Sequence, residues 1–376
     1  SDLNVTGGVF SVDADCKLIF NSGTYEITNN GIITLNCPIT LKENAQLIIK
    51  GSGYTILNGD INAAPGAILT IEGVSKTTKM IEVNKAVTFT SNLASVTLQN
   101  GKIVMSNTSS ELILSSANTV NLNNITVTSA TGSYIACNGL RLNNVPNISV
   151  NNSTFEKVKC GLYLMRAVNA PLANISGSTF QYCQTGLFVY HSGATISNST
   201  FNKNTATGLG ALSIEKASSL TNCQMNSNTS VGLFYAGTST GPLSAYGCTF
   251  SGNGVTGTEI HGPLTFTMDC SYATNNGQYG VFLVENAIVD AGGSDLHGNK
   301  IAIYGYSPAA GTGNNGFILK YGNNDLRDNG TSGSYCMFGS FKYFVGGVNK
   351  VEVNQNYWKA GGGAPVINTD YVLTGS

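Results

Sequence analysis

Charge is scarce in this chain. Of 376 residues, 19 are Lys or Arg and 20 are Asp or Glu, so 10% are charged, against about a quarter in an ordinary soluble protein. The two signs almost cancel, at net −1. No basic run exists, which argues against a nucleic-acid partner. The balance also counts against a groove dedicated to polyanions. No stretch of 18 apolar residues occurs, so no membrane-spanning helix is expected. Aspartate is absent between Asp60 and Asp269. The central chain therefore lacks the carboxylate clusters that hard cations and acid–base pairs need. Nine cysteines are present without a C-x-x-C pair, which argues against structural zinc. The opening Ser1-Asp2-Leu3 is not a secretory leader; the expectation is a removed leader or an excised fragment.

Disorder normally needs low hydrophobicity with high net charge, but 41% of the residues are hydrophobic and the net charge is −1, so the chain should fold. Glycine is abundant, at 45 residues, and one phrase recurs. It reads Ser153-Thr154-Phe155, Ser178-Thr179-Phe180, Ser199-Thr200-Phe201, Cys223-Gln224-Met225, Cys248-Thr249-Phe250 and Cys270-Ser271-Tyr272, with third positions 25, 21, 24, 25 and 22 residues apart. A few residues later comes a Gly slot: Gly161-Leu162, Gly186-Leu187, Gly208-Leu209, Gly232-Leu233, Gly257-Thr258 and Gly280-Val281. Two phrases at one shared period mark an internal repeat. The runs after the Gly alternate with period two and are too short for helices, so they read as strands. A coil of about 23 residues cannot bury its aliphatic residues alone. Stacking coils about 4.8 Å apart closes a core and pairs each strand with its counterpart in the next coil. Asn-rich pairs, Asn143-Asn144, Asn151-Asn152, Asn275-Asn276 and Asn323-Asn324, suit corners that need left-handed backbone. The fold class expected is all-β, a single-stranded right-handed parallel β-helix.

The same register places the cysteines. Cys223, Cys248 and Cys270 fall in the Ser slot, while Cys137, Cys160 and Cys183 recur 23 residues apart before the Gly slot. They read as ladders of small buried residues. A disulfide between neighbouring coils is the alternative, with Cys16 and Cys37 as a candidate pair. Strands Ile32–Leu35, Ala45–Ile49, Ala67–Ile71 and Ala94–Leu98 continue the texture toward the N-terminus. One β-helix domain over 1–376 is expected: a cap at 1–30, coils over 31–330, and last coils with an aromatic-rich closing segment over 331–376. An uncapped solenoid would expose strand edges. The ending suggests a piece of a longer multidomain protein.

The Asn-x-Ser-Thr-Phe and Gly-Leu-x-Val phrases, with the close Val353-Asn354-Gln355-Asn356-Tyr357-Trp358, resemble the pectate-lyase-like superfamily of right-handed β-helices. The pattern is most similar to repeat-containing bacterial surface and secreted proteins. The resemblance covers 135–330 clearly. It implies the fold more than an activity, because the superfamily holds lyases, hydrolases, epimerases, phage tailspikes and adhesins. Pectate lyases hold calcium on clustered Asp, and polygalacturonases use Asp on adjacent coils. The central coils here have neither arrangement. Asn368-Thr369-Asp370 lies at the tail, outside the context of the polygalacturonase signature.

Two constellations remain. Aligned on the Gly slot, with Ala302 filling it in the last coil, one column holds Tyr163, Phe188, Gly210, Phe234, Glu259, Phe282 and Tyr304. A second holds Met165, Tyr190, Leu212, Ala236, His261, Val284 and Tyr306. Strand alternation turns both outward. Arg166, His191 and Glu285 follow one residue later. This face is the expected ligand-binding strip, with Arg166 and His191 as candidate catalytic groups. The alternatives are coverage by a loop or by the closing segment, or rings that ladder for stability. The other constellation is Asp295 and Asp325 on consecutive coils, with His297 and Arg327 two residues on. Such a pair could serve a glycosidase or hold Ca2+, the one cofactor considered; corner turns are the plainer reading.

The function expected is a secreted or cell-surface protein, a non-catalytic adhesin, glycan-binding or stalk module. The alternative is a polysaccharide lyase or glycoside hydrolase on the outer face. The partner expected is a polysaccharide or cell-surface glycan, with neither nucleic acid nor membrane insertion.

Overall fold

The computed structural model describes residues 2–90, 93–306, 316–319, 329, 337–339 and 367–368. They fall into two compact units, Ser1–Val189 and Tyr190–Ser376.

In the first unit every described strand pairs in parallel with the strand three places along the chain, so three sheets run side by side. The first sheet pairs Ala45–Lys50 with Ile68–Glu72 and then with Ser95–Gln99, with Leu47, Leu69 and Val96 in register. The third pairs Glu111–Ser115 with Ile135–Asn143 and then with Val158–Met165. Equivalent residues of neighbouring coils are 21 to 28 positions apart. Strand after strand alternates buried with half-buried. Leu47, Leu69, Val96, Leu98 and Val120 fill the inside. Phe155 and Phe180 stack within the core at 4.8 Å and 3°. Burial of each such side chain contributes about 1.5–3 kcal/mol before entropy is counted. All four N-terminal strands read from sequence are present: Ile32–Leu35, Ala45–Lys50, Ile68–Glu72 and Ser95–Gln99.

The segment expected as a cap is itself wound as a coil. Asp2–Val5, Val9–Val12 and Leu18–Phe20 pair with Gly23–Asn29, Ile32–Leu35 and Ile39–Leu41. Its inward residues fill the space loosely. Leu3, Phe10, Leu18, Phe20 and Ile27 line an apolar cavity of about 220 Å³.

The second unit repeats the plan, with coils 22 to 25 residues apart as far as Tyr306 and 28 to 34 apart beyond it. Its first sheet runs from Ala194–Ser197 to Gly316–Leu319, and its third from Thr207–Ile214 to Ile367–Asn368. The middle sheet thins to single bridges, Thr200–Gln224–Thr249–Tyr272–Asp295. One corner is built from a buried asparagine ladder: Asn204, Asn228, Asn253, Asn276, Asn299 and Asn329. Each Oδ1 from Asn228 to Asn329 accepts the backbone N–H of the preceding rung. The amides of Asn228 and Asn253 donate to Phe201 O and Met225 O as well as to the next rung. Buried polar groups are costly unless paired, and the repeat pairs them coil by coil.

The Ser/Cys slot is confirmed, with one correction. Cys248 is followed in the slot by Ser271, not Cys270: the Cys248 N–H donates to Ser271 Oγ at 3.0 Å, and Thr249 bridges Tyr272. Cys270 is exposed, with φ 48°, at the corner occupied by Asn222, Gly247 and Gly293. A one-residue slip moves a side chain to the opposite face. Cys137 is likewise out of register, since Asn138 is the residue paired with Cys160. Cys16 and Cys37 are both free thiols, the former exposed and the latter buried, so the disulfide considered for them is not formed.

Candidate functional site

In the second unit the third sheet turns the two columns outward as the alternation predicts, except at Val284, which is buried. Phe234 pairs with Glu259, Glu259 with Phe282, and Phe282 with Tyr304; beside them, Ala236, His261, Val284 and Tyr306 are in register. The Gly slot lets the strands lie this way. A Cβ at Gly257 would meet Gly280 O at 2.7 Å, and one at Gly280 would meet Ala302 O at 2.7 Å. Ala302 does fill the last slot, one residue before the Val281–Ile303 pairing.

The side chains form one continuous surface. Phe282 and Tyr304 stack at 5.3 Å, and Phe234 and His261 stand 5.0 Å apart. His261 Nε2 meets Glu259 Oε1 at 2.8 Å, which fixes the imidazole between the rings. Tyr306, 45% exposed, lies 6.5 Å from Phe282. Tyr279 joins them, 4.8 Å from Tyr304 and 5.2 Å from Phe282. Burial, and then the nearby Tyr304, hold its phenol above the usual range. Sequence reasoning missed Tyr279 because the strand is irregular at the Gly. Gly280 and Val281 are both buried while Tyr279 and Phe282 face out, so strict alternation skips it. The ring-to-ring packing is also the stabilising ladder considered from sequence. One array can do both, since tyrosine hydroxyls and ring edges stay outside.

Tyr190 and His191 belong to the same unit, with ring centroids 4.1 Å apart. His191 and Ser192 are consecutive left-handed residues, φ 60° and 56°. The Glu215 carboxylate pins both: one oxygen lies 2.7 Å from His191 Nδ1, and the other accepts the Ser192 N–H at 2.8 Å. Glu215 went unread because its partner is a coil away. Glu285 is exposed at a similar turn, φ 59°.

In the first unit Tyr163 and Phe188 stack at 5.1 Å and 9°. They line a cleft of about 380 Å³ with Asn138, Arg141, Lys159, Cys160, Gln184 and Thr185. None of those six was read as a site residue. Arg166, by contrast, is not on this face. It is 2% exposed and donates from Nη2 to Pro146 O at 2.8 Å. Its strand ends at Met165, so the alternation that would turn it outward no longer applies. Desolvation lowers its guanidinium to about 10. A buried arginine of this kind holds structure and cannot meet substrate on the outer face.

Asp295 sits at a corner. It accepts the His297 backbone N–H at 3.1 Å and also contacts His297 Nδ1, the geometry of an Asx turn. Asp325 and Arg327 lie outside the described residues, as do Asn323-Asn324, Cys336 and the closing aromatic segment apart from 337–339 and 367–368. Among the described residues no three His, Cys, Asp or Glu side chains gather as a metal site.

A family model described as a right handed beta helix region matches residues 165–330. No curated protein matches the chain. Crystal structures of the periplasmic alginate epimerase AlgG align over 91% of this chain and 78% of theirs. A single-substitution variant gives TM-score 0.47 at 9% identity, a double variant 0.43 at 9%, and the unsubstituted enzyme 0.37 at 10%. Nothing about this chain's activity follows from likenesses at that level. The parallel coil-by-coil pairing and the family match together identify this chain as a right-handed parallel β-helix.

Proposed function

We propose that the outer face of the third sheet in the second unit binds a polysaccharide, and that the protein works outside the cytoplasm, secreted or at a cell surface. The observation that carries this reading is the unbroken cluster of Phe234, His261, Tyr279, Phe282, Tyr304 and Tyr306 around the Glu259 carboxylate. A contiguous apolar patch with a few fixed polar groups is how proteins mark a binding surface. Ring faces and edges suit the C–H faces of sugars. Glu259, His261 and the tyrosine hydroxyls suit their hydroxyl groups. Repetition at coil spacing suits a polymer better than a compact ligand.

A second reading is favoured by the two imidazole–carboxylate pairs, His261–Glu259 at 2.8 Å and His191–Glu215 at 2.7 Å. A histidine oriented by a carboxylate is equipped to move a proton. On this reading the face acts on its polysaccharide, as a lyase or glycoside hydrolase. One experiment separates the two. A glycan array identifies the polymer, and assays for unsaturated and reducing ends then follow it with the parent protein, His261→Ala and His191→Ala. Binding without product supports the binding module. Product formation that falls about a hundredfold or more in either variant supports the enzyme. No binding to any glycan refutes both.

A further inference from the structure

The cleft of the first unit differs in character from the aromatic face of the second. Its floor and walls are polar: Asn138, Gln184 and Thr185 offer amide and hydroxyl groups, and Tyr163 and Phe188 supply one stacked aromatic wall. Two cations, Arg141 and Lys159, also line it. Glu111 answers only the first. It lies 3.5 Å from Arg141 Nε and accepts a hydrogen bond from Asn138 Nδ2 at 2.9 Å. Lys159 is exposed and has no carboxylate partner among the described residues. The chain as a whole carries −1, but this cleft, counting Glu111, carries one uncompensated positive charge. Its volume, about 380 Å³, falls in the range of small-ligand sites.

We infer that this cleft is a binding site for a sugar unit that carries an anionic substituent, a carboxylate or a sulfate. Lys159 takes the anion. Asn138, Gln184 and Thr185 take hydroxyls, and the Tyr163–Phe188 wall packs against the ring. The site binds and does no covalent chemistry through its thiol: Cys160 is buried, and desolvation raises it far above neutrality, so it remains a thiol. The inference extends the carbohydrate reading to the first unit, but its charge preference rests on this cleft alone.

Calorimetry tests it with three hexasaccharide probes: one of uronic acid units, one neutral, and one neutral backbone carrying sulfates. The expected result is binding of at least one acidic probe, weakened by added salt, with the neutral probe about tenfold weaker or worse. Lys159→Gln should remove that preference. The residue is exposed, so the variant folds, as an unchanged melting curve will show. A Phe282→Ala/Tyr304→Ala variant should keep the preference, so failure of this site is separable from failure of the second-unit face. Equal binding of acidic and neutral probes, an unchanged preference in Lys159→Gln, or its loss only in Phe282→Ala/Tyr304→Ala overturns the inference.

Discussion

The buried thiols show how a residue acquires its properties from the coil that holds it. Cys137, Cys160 and Cys183 are buried, and desolvation is the largest influence on each. Cys137 rises to about 11 and Cys183 to about 12, from an ordinary 9.0. The folded chain thus keeps protons that the unfolded chain loses first. Their stabilising contribution is complete below pH about 9 and disappears as pH climbs through about 11 and 12. Chemical unfolding measured between pH 8 and 11 should show stability falling above pH 9. A Cys160→Ala/Cys183→Ala variant should fall less steeply than the parent; an equal slope contradicts the assignment. Native-state alkylation should modify Cys16 and Cys270 quickly and spare Cys37, Cys137, Cys160, Cys183, Cys223 and Cys248. The burial of several of these was legible as a repeated position. The buried Arg166 was not, because nothing in its local sequence shows that the strand stops at Met165.

A strand or corner is set by register, and here the sequence was accurate to within a residue. The Gly slot, including Ala302, and the register of both columns were read correctly because steric closeness at the Gly admits few alternatives, though Val284 turns out to be buried. The Cys270 alignment slipped because Cys270-Ser271-Tyr272 mimics Cys248-Thr249-Phe250. Only the observed pairing shows that Ser271 is the buried member. Two substitutions distinguish the positions. Cys270→Gly relieves a left-handed residue at φ 48° and should stabilise by about 1 kcal/mol. Ser271→Ala removes the acceptor for Cys248 N–H and the donor to Asp269 O, and should cost about 1–3 kcal/mol. If denaturation midpoints move the other way, the register is wrong. The asparagine ladder was legible only as Asn-rich corners. Its rung-to-rung hydrogen bonds span 23 to 30 residues, beyond any local pattern. Asn253→Ala breaks bonds to both neighbouring rungs, and should lower stability by about 3 kcal/mol in the same assay.

At the scale of the molecule, a repeat turns one coil's side chains into columns, and a column is a surface that a polymer can follow. The fold was readable because every coil restates it. The site was readable only in part, because function resides where coils differ. Phe234, Glu259, Phe282 and Tyr304 occupy one slot with different chemistry. Lys159, Arg141 and Glu215 lie outside the aligned columns or gain meaning from a partner one coil away. The absence of central Asp drew attention away from carboxylates altogether, and so concealed the histidine–carboxylate pairs, which draw on Glu259 and Glu215. The central claim is that the third-sheet face of the second unit holds a polysaccharide. It is tested most directly by the affinity of the array-identified glycan for the parent, for Phe282→Ala/Tyr304→Ala, and for Tyr246→Ala, whose ring is 58% exposed on the first sheet. A loss of about tenfold or more in the first variant with parental affinity in the second is the predicted result. Parental affinity in Phe282→Ala/Tyr304→Ala, or an equal loss in Tyr246→Ala, would contradict it.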